Sequence, residues 1–220
     1  CGLPVQGAVS FPCGLGRGDS FDPELEEQIG RAVGRQAAAL GATHVFAPVL
    51  DVSRNPRFGR HGESYGESPA LVSALGAAYA RGVNDKSGKR VNTESVAKHF
   101  VGSHDNQAGI HGSAAAIPPR ALRETYARPF AAAIDEGGLR GVMPCYNAVD
   151  GVPVSGDEAM LTGLLRGELG FEGVTVSDYT AIENMVTIQK LCSDRTDAGL
   201  MALRAGMDAE LPAVACYNAE

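Results

Sequence analysis

An excess of positive charge is missing from this sequence. Its formal net charge is −7, so neither a nucleic-acid backbone nor an anionic membrane finds a basic stripe to bind. Also missing is any apolar run near the ~20 residues that a bilayer-spanning helix requires. No charged segment followed by an apolar one opens the chain, so a signal peptide is not read at its start. The five cysteines, Cys1, Cys13, Cys145, Cys192 and Cys216, lack close Cys-x-x-Cys pairs. That spacing argues against a zinc site or a disulfide framework and for free thiols in a reducing compartment. A chain that starts at Cys1 rather than Met reads as a fragment, with a mature lipoprotein as the alternative.

What is present is ordinary for a globular domain: 220 residues, 44% hydrophobic and 20% charged, enough to bury a core. Short β-branched runs alternate with amphipathic stretches, the rhythm of parallel βα units. Asp22-Pro23 supplies a cap and a first-turn proline. Leu25, Ile29, Val33, Ala37 and Leu40 then recur at helical spacing until Gly41. The run from Thr43 to Val52 reads as a buried strand and its exit loop.

A second helix follows Ser68-Pro69 and carries Leu71, Leu75, Ala78 and Tyr79 on one face. A strand over 95–102 comes next, then a helix from Pro118-Pro119 that Pro129 is expected to kink. A strand over 140–147, a helix over 158–168, a strand over 173–179 and a helix from about Asp194 complete the series. Strands this apolar need helices on both faces or a closed barrel. A doubly wound sheet would want a glycine-rich phosphate turn after its first strand. Gly14-Leu15-Gly16-Arg17-Gly18 lacks that position and spacing. The expected fold is therefore a partial TIM-type (β/α)8 barrel with N-terminal strand or strands missing.

Barrel enzymes collect their chemistry at the C-terminal ends of the strands. Asp51 follows the first strand here. Lys98 and His99 end the second, Tyr146 and Asn147 the third, and Ser177, Asp178 and Tyr179 the fourth. Each has an ordinary explanation. Asp178 reads as a cap for the helix after it, and Lys98-His99 as a buried pair satisfied by backbone carbonyls. Asn147 makes a turn into Asp150-Gly151, and Arg60 pairs with Glu63 or Glu67. The tyrosines and Met143 serve the core. Together on one rim they read as a polar pocket. A carboxylate, cations, a histidine and an aromatic around one pocket suit sugar binding and glycosyl transfer.

Four blocks carry a more specific signal. They are Ala47-Pro48-Val49-Leu50-Asp51-Val52-Ser53-Arg54-Asn55-Pro56-Arg57-Phe58-Gly59-Arg60, continuing through His61-Gly62-Glu63-Ser64-Tyr65-Gly66-Glu67-Ser68-Pro69; Lys98-His99-Phe100; Val142-Met143-Pro144-Cys145-Tyr146-Asn147 with Asp150-Gly151-Val152-Pro153; and Gly173-Val174-Thr175-Val176-Ser177-Asp178-Tyr179. In order and spacing the chain resembles glycoside hydrolase family 3 over almost its whole length. The resemblance implies that residues 1–220 form a fragment of the nucleophile-bearing N-terminal barrel, with the downstream α/β sandwich domain absent.

The resemblance further implies a retaining exo-β-glycosidase acting on terminal glucosyl or xylosyl residues. Asp178 would be the catalytic nucleophile. Arg60, Lys98, His99 and Tyr146 would hold sugar hydroxyls, and Met143 would line the same subsite. Neither metal nor organic cofactor is called for, and the partner is an oligosaccharide or β-glycoside, with no nucleic acid and no membrane. A cytoplasmic protein is expected, or an exported one if a signal peptide precedes Cys1.

Three departures follow. No Asp-Gly-Pro loop precedes the first strand. The general acid/base of the glucosidase and xylosidase branch lies beyond Glu220. Ile110 stands where many members carry a sugar-binding Arg, so that contact is lost or passes to His111. In the hexosaminidase branch an Asp-Ser-His loop supplies the acid/base. His111 falls in register with that His, but Gly109 replaces the Asp, and His104-Asp105 is out of register. A carbohydrate-binding remnant without catalysis is the non-enzymatic alternative.

Overall fold

A computed structural model describes residues 2–89 and 91–218, so Cys1 and Glu220 lie outside the described residues. After a short helix α1 (Gly14–Gly18), Asp22 caps α2 (Pro23–Ala39) by accepting the Leu25 amide at 3.0 Å. Ser68 does the same for α3 (Pro69–Asn84) and Asp194 for α7 (Arg195–Ala205). In each, the cap side chain satisfies one of the first-turn N–H groups that a helix leaves unpaired.

β1 (His44–Val45), β2 (Glu94–Phe100), β3 (Gly141–Pro144) and β6 (Val174–Thr175) form a parallel sheet in that order. A parallel bridge from Val176 to Ala209 extends the wall beyond α7. Between β2 and β3 the chain passes through α4 (Pro119–Ala121), a π-helical turn over Leu122–Ala127 and α5 (Arg128–Asp135). The widened turn lies directly before Pro129, whose ring and missing N–H disrupt regular α-winding where a kink was expected. A hairpin, β4 (Ala148–Val149) with β5 (Val152–Pro153), turns at Asp150 and Gly151, both at positive φ. A second π-helical stretch, Ala159–Glu168, leads to β6, and α6 (Ala181–Thr187) follows it.

This is the wall of a (β/α) barrel, buried on both faces because strand residues alternate sides. Ala97 and Val142 face the helices, in a core with Leu75, Phe100, Phe130 and Leu165. Val96, Met143 and Val176 face the other way, with Ala209 and Leu211. Helices α2 and α3 cross closely: a Cβ on Gly30 would meet the Tyr79 carbonyl oxygen at 2.4 Å, and one on Gly82 the Glu27 carbonyl at 2.1 Å.

Two expectations need correction. The strand expected from Thr43 pairs only over His44–Val45, with a further bridge from Val49 to Lys98. Pro48 interrupts the ladder because it has no N–H to give, and Phe46 is 36% exposed. Leu25 and Leu40, assigned to the apolar face of α2, are exposed at its two ends. The four described cysteines are free thiols.

Candidate active site

Asp178 sits on a turn clamped from the next strand position. The Ser177 amide donates to the Ala209 carbonyl at 2.9 Å, and the Thr180 amide to the Leu211 carbonyl at 2.9 Å. The Leu211 amide donates back to Ser177 Oγ at 2.9 Å. Thr180 is thereby held at φ 61°, a left-handed conformation costly for a β-branched residue and typical of functional turns. Asp178 Oδ1 accepts from the Tyr179 amide at 2.8 Å. Its side chain makes no hydrogen bond into α6, whose first amide donates instead to the Asp178 backbone carbonyl. The helix-cap explanation therefore fails, and the carboxylate is left free to face the rim.

His99 owes its position to a fault in the sheet. Lys98 pairs with Met143 and Phe100 with the next residue, Pro144, so His99 is the extra residue of a bulge. Bulges re-aim side chains next to active sites. The backbone N–H of His99 donates to Asp51 Oδ2 at 3.1 Å, and ring Nδ1 lies 2.8 Å from the same oxygen. Burial alone would raise the Asp51 pKa, but His104 and then His99 reverse that and bring it down to about 2. Asp51 is thus ionised and has no proton to give, so Nδ1 carries the proton of that bond. Nε2 is left to accept from Arg60 Nη2 at 3.2 Å, with Asp178 Oδ2 at 3.6 Å.

Arg60 forks onto Glu63, Nε and Nη2 each 2.8 Å from a carboxylate oxygen. The expected ion pair exists, with Glu63 and not Glu67, and it aims the guanidinium at His99. The Glu63 hydrogen bonds raise the Arg60 pKa, and Arg60 in turn lowers that of Glu63. Lys98 is half-buried and makes no side-chain hydrogen bond or ion pair among the described residues. It lines, with Arg60, Glu63, Arg17 and Tyr79, a cavity of about 310 Å3. Backbone carbonyls satisfy neither Lys98 nor the His99 ring. A larger cavity, about 840 Å3, lies apart from Asp178 among Gln107, Ile117, Leu122 and Val149.

The Tyr146 hydroxyl donates to the Tyr179 carbonyl at 2.8 Å; burial, then the neighbouring Asp178 charge, push its pKa up. His111 stacks on Phe58 with ring centroids 5.5 Å apart and meets Tyr146 edge-on at 4.8 Å. Desolvation, then Arg60, lower its pKa. Ile110 points to solvent, 62% exposed. The structure thus brings together Asp178, His99, Arg60, Tyr146 and His111, with Lys98 opening onto the adjoining cavity. Met143 is 1% exposed and packs with Val96 and Val176 as the cross-strand neighbour of Lys98. Asn147 leads into the hairpin, its carbonyl accepting the Val154 amide.

Phe58 as the ring under His111 and buried His104 are the contributors that residue patterns left unassigned. Asp51, read from the sequence only as a strand-end rim residue, is the anchor of His99. His104 and Asp105 form no dyad, because Asp105 accepts from the Tyr126 hydroxyl at 2.7 Å. Among the described residues no group of three or more His, Cys, Asp or Glu is placed to hold a metal.

A sequence model described as the glycosyl hydrolase family 3 N terminal domain matches residues 4–219. The chain is 38% identical to a beta-xylosidase of Formosa agariphila over 205 residues, covering 91% of this chain and 28% of that protein. It is 34% identical to a periplasmic beta-glucosidase of Salmonella typhimurium, covering 90% of this chain and 26% of that protein. Among solved structures, a β-glucosidase of Erythrobacter marinus superposes with a TM-score of 0.93 at 30% identity, covering 98% of this chain and 29% of that one. The chain therefore spans under a third of the length of the relatives it matches.

Proposed function

The chain belongs to glycosyl hydrolase family 3, and on that footing we propose that it supplies the nucleophile-bearing barrel of a retaining exo-β-glycosidase. The carrying observation is the free Asp178 carboxylate at a strand end, 3.6 Å from a histidine anchored on Asp51 and bonded to Arg60. In this reading Asp178 attacks the anomeric carbon of a terminal β-D-glucosyl or β-D-xylosyl residue and forms a covalent glycosyl-enzyme. Arg60, Lys98, His99, Tyr146 and His111 hold the sugar hydroxyls. Relatives named β-xylosidase and β-glucosidase support that pair of sugars.

A retaining mechanism also needs an acid that is protonated near neutral pH. Asp51 is held ionised with a pKa of about 2, and Arg60 keeps that of Glu63 low. Neither suits the role, which agrees with an acid/base from another part of the protein. The hexosaminidase alternative loses ground because His111 contacts Phe58 and Tyr146 and hydrogen-bonds no carboxylate among the described residues. No helix among those residues is long and apolar enough to cross a membrane. A relative named for the periplasm leaves the compartment open between cytoplasm and export.

The test compares wild type with Asp178→Ala, in the natural gene product that carries this chain, on p-nitrophenyl β-glucoside, β-xyloside and β-N-acetylglucosaminide. Hydrolysis of the first or second, lost about 10³-fold in the variant, is expected; that is ~4 kcal/mol of barrier. Near-normal activity in the variant would remove Asp178 from the mechanism.

A further inference from the structure

His104 is 1% exposed in the turn Ser103–Asp105 that follows β2, and neither ring nitrogen has a hydrogen-bond partner among the described residues. Buried imidazole nitrogens are costly to leave unpaired. The nearest carboxylate atom is Asp51 Oδ2, 3.6 Å from Nε2, and Asp51 Oδ1 is itself buried and unpartnered. His104 Nε2 thus lies a few tenths of an ångström beyond bonding range of a carboxylate whose near oxygen serves His99 and whose other oxygen has no partner. Such contacts tighten when a site is occupied.

The charged groups around His104 are committed elsewhere. The charged and titratable groups facing His104 are Asp51 from the β1 exit, His99 from β2, and Arg60 and Glu63 from the connection before α3. Arg60 and Glu63 are committed to each other, and Asp105 to Tyr126. The Phe58 ring meets His104 edge-on at 5.0 Å and restrains it from turning outward.

We propose that His104 is a positioning residue that donates to Asp51 in the sugar-occupied site, fixing the carboxylate's rotation and so the His99 ring that faces Asp178. The proposal rests on the glycosidase reading above. Asp51 Oδ2 takes both bonds from His99, so nothing else among the described residues holds the second oxygen in place. His104 itself touches no sugar and acts only through Asp51 and His99.

The test uses three variants of the natural gene product, assayed on its best β-glycoside. In His104→Gln the amide nitrogen falls near the position of imidazole Nε2; in His104→Asn it falls short, near Nδ1; His104→Leu has no donor. The expected result is kcat/KM within about 3-fold of wild type for Gln and a loss of about 10- to 100-fold for Asn and Leu, mostly in kcat. Melting temperatures of the two amide variants should agree. Equal activity in Leu and wild type, or equal losses in Gln and Asn, would overturn the proposal while leaving the glycosidase reading standing. A wild type inert on every β-glycoside would overturn both. Should Leu fail to fold, the Gln–Asn contrast still decides.

Discussion

Asp51 holds His99 twice through one oxygen, at the backbone amide and at ring Nδ1. The two residues are 48 positions apart and lie at the ends of adjacent strands, so the contact exists only once the sheet is in register. It fixes the tautomer of the ring, and with it the nature of the nitrogen that meets Arg60 and Asp178. A buried carboxylate is tolerable here because two imidazoles flank it.

That arrangement sets an acid limit on stability. The Asp51 pKa is depressed in the folded chain, from 3.8 to about 2. Its stabilising contribution is therefore present above the unfolded value and is lost as pH falls from about 4 toward 2. The magnitude is about 2 kcal/mol, from a shift of about 1.4 kcal/mol per unit. In urea melts between pH 6 and pH 2, the stabilities of wild type and Asp51→Asn should differ by a constant amount above about pH 4 and draw together toward pH 2, because only wild type loses this component. Parallel curves across the whole range would show that Asp51 is not the titrating group.

Arg60 should not be replaceable by Lys. Its two bonds to Glu63 use the guanidinium fork, and Nη2 reaches His99 as well. An ammonium offers one charge centre and cannot hold both partners in that plane. Arg60→Lys should lose roughly 1.5–3 kcal/mol of transition-state binding, about 10- to 100-fold in kcat/KM. Melting temperature should change little, since the pair is partly solvent-exposed and contributes little to folding. Steady-state kinetics beside a thermal melt would expose the opposite pattern.

The cap at Asp22, the helix starts after Ser68-Pro69 and near Asp194, and the alternation of strands and helices were legible from local chemistry. Each depends on neighbours within about four positions, and the structure bears them out. What stayed hidden depends on register. The β2 bulge that turns His99 onto Asp51 is a mismatch with β3, and no property of Lys98-His99-Phe100 alone predicts it. Leu25 and Leu40 fit a helical stripe, yet they lie exposed at the helix ends. Phe58 and His104 meet because separate loops fold over one rim.

Thr180 gives a test of strain at the Asp178 turn. Its φ of 61° suits glycine and is unfavourable for a branched side chain. Thr180→Gly should gain about 1 kcal/mol of stability while lowering kcat several-fold, because the turn beside Asp178 becomes freer. A chemical melt paired with kcat reads both signs at once; a loss of stability would mean that the Thr180 hydroxyl bond to the Tyr179 carbonyl outweighs the strain.

Ser177 provides the clearest link between a single hydrogen bond and the nucleophile's position. Its hydroxyl is the acceptor for the Leu211 amide, while its own amide is bonded to Ala209. Glu210, between those two residues, accepts the amides of Ala215, Cys216 and Tyr217 at 2.8–3.0 Å and so anchors the far side of the same clamp. Ser177→Ala leaves the Leu211 amide without its partner in a partly buried setting, at a cost of about 1–3 kcal/mol. If the clamp positions Asp178, the same change should lower kcat about 10-fold with KM little altered, a loss of about 1.4 kcal/mol specific to the transition state. Glu210→Gln should destabilise as much or more but act on kcat only through the loop it holds. Comparing the two variants separates general loosening from displacement of the carboxylate: equal stability losses with unequal kcat would assign the positioning to the Ser177–Leu211 bond, and equal losses in both would assign it to the clamp as a whole.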